Sequence, residues 1–264
     1  MNTIPMYQVD AFTNTPFKGN PAAICLPETA LSAELMQSIA AENNLAETAF
    51  VTREEDGFRL RWFTPTVEID LCGHATLASA HILWQEGILS PGEVARFHTR
   101  SGLLTATQKE DWIELNFPVS PFDAKELPAE MKKALGVNPV SVAFGKERYL
   151  VELATAEEVA SLQPDFGILK HYDAVVVTSL AGDHSPYDFV SRSFVPSHGV
   201  DEDPVTGSSH CLLVPYYAAK LKKFDFHAFQ VSARGGELLL QLTGDRVLIA
   251  GQAVTVIKGV FFYG

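Results

Sequence analysis

Cysteine is scarce in this chain: Cys25, Cys72 and Cys211 are the only three in 264 residues. They lie far apart and are odd in number, which argues against a disulfide framework and fits reduced thiols. Positive charge is also short. Twenty Lys and Arg face 32 Asp and Glu, a net charge of −12, so the basic stripe that nucleic acid or an anionic membrane surface needs is not expected. No stretch approaches the roughly 18 consecutive apolar residues of a membrane span. The opening MNTIPMYQVDAFTN has neither the basic region nor the apolar run of a secretory signal. A soluble, cytoplasmic chain with no membrane or nucleic-acid partner is the expectation. Chemical signatures are missing too. The eight histidines form no H-E-x-x-H, no paired C-x-x-C occurs, and Cys72-x-His74 alone is too weak to invoke zinc, so no metal is expected. There is no G-x-G-x-x-G, P-loop or G-x-S-x-G, so neither a nucleotide cofactor nor a serine-hydrolase elbow is indicated.

What is present is enough apolar residue, 47%, for a sizeable core. Short β-type runs dominate. GFRLRWF (57–63) alternates Phe58, Leu60 and Trp62 with Arg59 and Arg61, and DWIELNF sets Ile113, Leu115 and Phe117 on one side. DAVVVTS (173–179), ELLLQLT (237–243), DRVLIA (245–250) and AVTVIKG (253–259) read the same way, with QKEDW and LTGDR as turns. Helices are fewer. Ser32 caps a helix over 32–44 whose face is Leu35, Met36, Ile39 and Ala40. Thr155 and Glu158 make a capping box, and LPAEMKKALG carries Pro128 at its start and Gly136 past its end. The segment after Gly73 is apolar on most sides and should be buried against sheet.

An internal repeat organises these pieces. RSGLLTATQKEDWIEL (100–115) and RGGELLLQLTGDRVLI (234–249) align without a gap, Arg100 on Arg234, Gly102 on Gly236 and Asp111 on Asp245. Upstream, Phe63 and Pro65 precede Gly73 as Phe194 and Pro196 precede Gly207, with a small insertion in the second copy. Each half reads strand, F-x-P, acidic loop, glycine turn, helix, then a hairpin opening Arg-x-Gly. The fold class is therefore α+β, two similar pseudo-symmetric domains over 1–120 and 121–264, with the C-terminal strand free to pack back on the first. The boundary falls near FPVSPFDAKELP, rich in proline and polar residues.

The repeat places a glycine turn at a helix start twice, Gly73-His74 and Gly207-Ser208. Unpaired N–H groups and the helix dipole favour an anion there, so opposed helix starts would grip a small carboxylate in an interdomain cleft. The plainer reading is that glycine only permits a tight turn. Carboxylates lie close by: Asp201, Glu202 and Asp203 before Gly207, and Glu68 and Asp70 before Cys72. Glu47 sits among Leu45, Ala46, Ala49 and Phe50, where a poorly hydrated carboxylate would suit a general base; a solvated loop residue is the alternative. Cys72 reads either as a thiol activated at a helix start or as a packed small hydrophobe. No cysteine stands at the matching place in the second half, since Cys211 follows Gly207, so a two-thiol racemase is not indicated.

These motifs together resemble the phenazine-biosynthesis-like (PhzF-type) family, within the diaminopimelate epimerase-like fold. VDAFTNTPFKGNPAAICL (9–26), NNLAETAFV (43–51), RWFTPTVEIDLCGHATLASAHILW (61–84), SRSFVPSHGVDEDPVTGSSH (191–210) and RVLIAGQAVTV (246–256) carry the resemblance over nearly the whole chain. It implies a barrel-like β-sheet around a central helix in each domain, a homodimer, and proton transfer on a small carboxylate substrate without cofactor or metal. It implies Glu47 as catalytic base, His74 and Asp203 as assisting groups, and Gly73, Gly207 and Ser208 at the carboxylate. Cys72 departs from the phenazine enzyme and His210 stands close by. A cofactor-independent isomerase or epimerase is the expectation, with a Cys72-dependent racemase or a non-catalytic carboxylate-binding protein as alternatives.

Overall fold

The computed structural model describes residues 1–146 and 148–264. The chain divides into two compact units, Met1–Asn116 with Ala250–Gly264, and Phe117–Ile249.

The first unit opens with β1 (Asn2–Ala11) and β2 (Asn20–Cys25), an antiparallel pair in which Ala11 faces Asn20. Gly19 makes the return. It sits at φ +62, and a Cβ there would lie 2.1 Å from the Ala11 carbonyl oxygen, so only glycine fits. Helix α1 (Ala33–Asn43) begins where the Ser32 hydroxyl accepts the Leu35 N–H at 3.2 Å and stops at Asn44 in the left-handed region. It buries Met36, Ile39 and Ala40, as their spacing requires. β3 (Glu47–Glu54) then runs parallel to β2 and antiparallel to β4 (Gly57–Phe63). In β4 the alternation is kept: Phe58, Leu60 and Trp62 are buried and Arg59 is exposed. The short β5 (Glu68–Ile69) pairs with β4. Helix α2 (Gly73–Gln85) follows, buried on nearly every side and packed on β1, β2 and β3. Its hydroxyls turn back on its own carbonyls, Thr76 to Cys72 and Ser79 to Ala75. β6 (Ala95–Thr99), β7 (Gly102–Lys109) and β8 (Trp112–Pro118) complete the series, β6 parallel to β4 and antiparallel to β7, and β7 antiparallel to β8.

The second unit repeats this plan. β9 (Asp123–Ala124) and α3 (Ala129–Leu135) lead in, and α3 stops at Gly136 with φ 67. β10 (Ser141–Gly145) and β11 (Arg148–Glu152) are antiparallel, and β11 is parallel to β12 (Ala174–Leu180). Helix α4 (Ala156–Ala160) is capped by Thr155, whose hydroxyl accepts the Glu158 N–H at 3.2 Å, while the Glu158 carboxylate reaches back to the Ala154 N–H. The four-residue α5 (Phe166–Leu169), capped by Asp165, has no counterpart in the sequence expectation. β13 (Phe189–Val195) is antiparallel to β12 and to β14 (Val200–Asp203). Helix α6 (Gly207–Leu221) is followed by β15 (Asp225–Gln230), parallel to β13, and by β16 (Gly236–Thr243), antiparallel to β15. Pro215 lies inside α6 and has no N–H for the Cys211 carbonyl; Ser120 donates its N–H to that carbonyl instead, at 2.9 Å.

After β17 (Arg246–Gly251) the chain returns to the first unit, where β18 (Ala253–Tyr263) pairs antiparallel with the whole of β1. Each unit is thus a mostly antiparallel sheet with parallel crossovers and one long buried helix. The repeat extends to side chains. Arg61 forks onto Glu68 with both bonds at 2.7 Å, and Arg192 forks onto Glu202 with both at 2.8 Å. Each guanidinium also lies over the phenylalanine of its own F-x-P, Phe63 at 5.2 Å and Phe194 at 5.0 Å.

Candidate active site

Three expected residues fall in the first unit, and two of them touch. Glu47 is the first residue of β3, placed there by the left-handed turn at Asn44, and its side chain is only 17% exposed. It is therefore not a solvated loop residue. His74, the second residue of α2, is buried, and its Nε2 lies 3.0 Å from Glu47 Oε2. The distance is that of an ion pair, yet Oε2 receives no aligned hydrogen bond although it is shielded from solvent. On the other side of the ring the Asn20 amide nitrogen stands 3.1 Å from Nδ1. Held as the imidazolium, the ring carries a proton on each nitrogen, Nε2–H facing Glu47 and Nδ1–H facing the Asn20 amide, whose orientation is assigned from the network. Asn20 belongs to the G-N-P of the first motif, and the Gly19 turn is what brings it here. Its role was hidden in the sequence because no spacing links position 20 to position 74.

Cys72 is the N-cap of α2 and packs its Sγ 3.5 Å from His74 Nδ1 and 4.0 Å from Nε2. Burial pushes this thiol up, and His74 only partly offsets it. For His74 burial disfavours the imidazolium, but Cys72 and Glu47 outweigh it and hold the ring well above its ordinary 6.5. The Cys72 contribution needs a thiolate, which burial opposes, so Glu47 is the partner that acts at neutral pH. Glu47, Cys72 and His74 each present one ligand-type atom, all within 4.8 Å of one another. The sequence pattern gave no metal signature because the carboxylate comes from a strand 25 positions before Cys72.

Asp203, Gly207 and Ser208 fall in the second unit. Asp203 ends β14, where its Oδ2 accepts the Thr206 hydroxyl at 2.6 Å, and Gln230 bonds both the Asp203 carbonyl and the Thr206 N–H. Gly207 and Ser208 open α6. Like α3, neither α2 nor α6 has a side-chain acceptor at its N-cap, whereas α1, α4 and α5 do. Arg148, which no motif marked, donates to the Ser209 hydroxyl at 2.5 Å and the Ser208 hydroxyl at 3.3 Å. Burial works against its charge. The acidic triplet is not uniformly solvated: Asp201 is exposed, while Glu202 serves Arg192 and Asp203 the α6 turn. His210 is buried with Nδ1 on the Thr206 carbonyl at 2.9 Å and Nε2 without a partner, and burial pushes it down to about 4.

The two α+β units repeat one plan, and the first holds a buried carboxylate–imidazole contact. The phenazine biosynthesis-like family model matches residues 9–259. An uncharacterized isomerase of Halalkalibacterium halodurans is 49% identical over 98% of both chains. The crystal structure of a phenazine biosynthesis protein of the PhzF family from Enterococcus faecalis superposes with a TM-score of 0.94 and 40% identity, covering 99% of this chain and all of that one. A hydroxyproline epimerase from Agrobacterium vitis, solved with bound trans-4-hydroxy-L-proline, shares the fold alone, with a TM-score of 0.60 at 12% identity, covering 99% of this chain and 91% of that one. This chain belongs to the phenazine biosynthesis-like family. No helix among the described residues is long and apolar enough to cross a membrane.

Proposed function

We propose that the protein is a cofactor-independent isomerase or epimerase that moves a proton on a small carboxylate substrate, with Glu47 as the base. The observation that carries this reading is the Glu47 carboxylate, shielded from solvent and set 3.0 Å from a buried His74 without an aligned donor on Oε2. An oxygen in that state has a lone pair to offer a C–H proton, and the neighbouring imidazole can supply or hold a second proton. Asn20 orients the ring. Gly73, Gly207 and Ser208 hold the substrate's carboxylate in this proposal, supported by the uncapped starts of α2 and α6, and Asp203 assists binding and proton movement. The enolate-like charge formed when the proton leaves is what such N–H groups stabilise best.

A racemase that relies on Cys72 is the weaker reading. A thiol working as base or nucleophile needs a depressed pKa, and burial drives Cys72 the other way. The test is solvent deuterium exchange followed by NMR over a panel of amino, imino and dihydroaromatic carboxylic acids. With the acid that exchanges, Glu47→Gln should lower the rate by about 10² to 10⁴. Wild-type exchange by that variant removes Glu47 as the base, and loss of exchange on Cys72→Ser alone would install the thiol in its place.

A further inference from the structure

We propose that Glu47, Cys72 and His74 form a binding site for a thiophilic divalent cation of the zinc class, and that such a cation inhibits the enzyme by occupying its base. The inhibitory half rests on the role proposed for Glu47; the binding half stands without it.

The geometry is close to what such an ion requires. Bonds of about 2.0–2.3 Å at tetrahedral angles place ligand atoms roughly 3.3–3.7 Å apart. Here Nε2 and Oε2 are 3.0 Å apart and Sγ and Nε2 4.0 Å, with all three atoms inside 4.8 Å. Sγ lies 3.5 Å from Nδ1 and 4.0 Å from Nε2, so the Cys72 side chain has to swing toward the Nε2 side to close the set. Imidazole, thiolate and carboxylate together select zinc-like ions over magnesium or calcium, which take oxygen alone. Glu47 Oε2 is a shielded acceptor with no aligned donor, the state of an atom ready to ligate. Asn20 stands 3.1 Å from Nδ1, where its amide oxygen, once turned, would take the Nδ1–H of a metal-bound imidazole. The fourth position is left to water or to an acid. Binding forms metal–sulfur, metal–nitrogen and metal–oxygen bonds and releases to solvent the Cys72 thiol proton and the His74 Nε2 proton. No electrons are transferred.

The other two thiols cannot mimic this site. Neither Cys25 nor Cys211 belongs to such a group, and no second group of this kind exists among the described residues. The experiment is a cobalt(II) titration of the intact, chelator-stripped chain, with zinc(II) in competition. A saturable one-to-one thiolate-to-cobalt charge-transfer band with strong tetrahedral visible bands is expected, and zinc should abolish it. Cys72→Ser should remove the band, Cys25→Ser should keep it, and Asn20→Ala should weaken binding about 10- to 100-fold. Glu47→Gln and His74→Gln, which retain the thiol, should each weaken it by more than that. Circular dichroism checks that each variant is folded. Absence of the band, its survival in Cys72→Ser, or zinc affinity unmoved by both Glu47→Gln and His74→Gln would overturn the site. Zinc that binds as described yet leaves solvent exchange intact overturns the inhibitory half only.

Discussion

His74 and His210 occupy equivalent helices and are pushed in opposite directions, because one faces a carboxylate while the other is buried with only the Thr206 carbonyl at Nδ1 and the Arg148 charge against it. For His74 the folded state favours the imidazolium. Its contribution to stability is fully present below the ordinary value of 6.5 and is lost as pH rises through the raised value. Nitrogen-15 NMR should therefore show His74 still protonated above pH 6.5, and Glu47→Gln should bring its titration down. A titration that ignores the Glu47 substitution would transfer the effect to Cys72. His210 behaves the other way. Going from 6.5 to about 4, its neutral form stabilises the fold above pH 6.5, and that contribution is lost as pH falls toward 4. The full difference is of order 3 kcal/mol. His210→Phe keeps the ring against Phe189 and cannot charge, so in urea denaturation its stability relative to wild type should improve by about that amount from pH 7 to pH 4. An unchanged difference would mean that water reaches His210. None of this was legible in the sequence, where His74 follows Gly73 and His210 stands three places after Gly207; for His74 the carboxylate comes from β3, and for His210 burial decides.

Among the elements, those with a strong local signal were legible and those defined by partners were not. Ser32, Thr155, Gly136 and the alternation of β4 all act where the sequence placed them, since caps and periodicity are local physics. The C-terminal strand was expected to pack back on the first half, but its pairing with β1, about 250 positions away, carries no local signal, and α5 escaped because four residues carry no period. The duplicated arginine forks show how the F-x-P strands are held. Arg192 does more than Arg61: besides Glu202, its Nη1 serves the Val159, Ala160 and Leu162 carbonyls at the end of α4, with the last at 2.9 Å. Removing it strands a half-buried carboxylate and three acceptors. Arg192→Met should cost about 3 kcal/mol by chemical denaturation, and Arg61→Met clearly less. Equal losses would show that the carbonyl contacts contribute nothing.

At the scale of the whole molecule the repeat in the sequence reappears as two units with matching strand order and matching forks, because duplication preserves long-range pairing that no local pattern encodes. The returning strand β18 is different, with no counterpart at the end of the second unit's series. Along β18, Phe261 and Tyr263 turn inward to Ile4 and Met36, while Val260 and Phe262 are exposed at 52% and 58% beside Pro5 and Thr3. Two large apolar side chains presented on one face of a strand ladder are costly in water and suit a self-complementary contact. A homodimer, implied by the family resemblance alone, would find its contact on this ladder. Sedimentation should show a dimer at micromolar concentration, and Val260→Lys with Phe262→Lys should convert it to a monomer with an unchanged far-ultraviolet spectrum. A wild-type monomer would remove the assembly from the proposal. A dimer indifferent to both lysines would move the interface to another face, since four ammonium groups buried across a two-fold axis could not be accommodated.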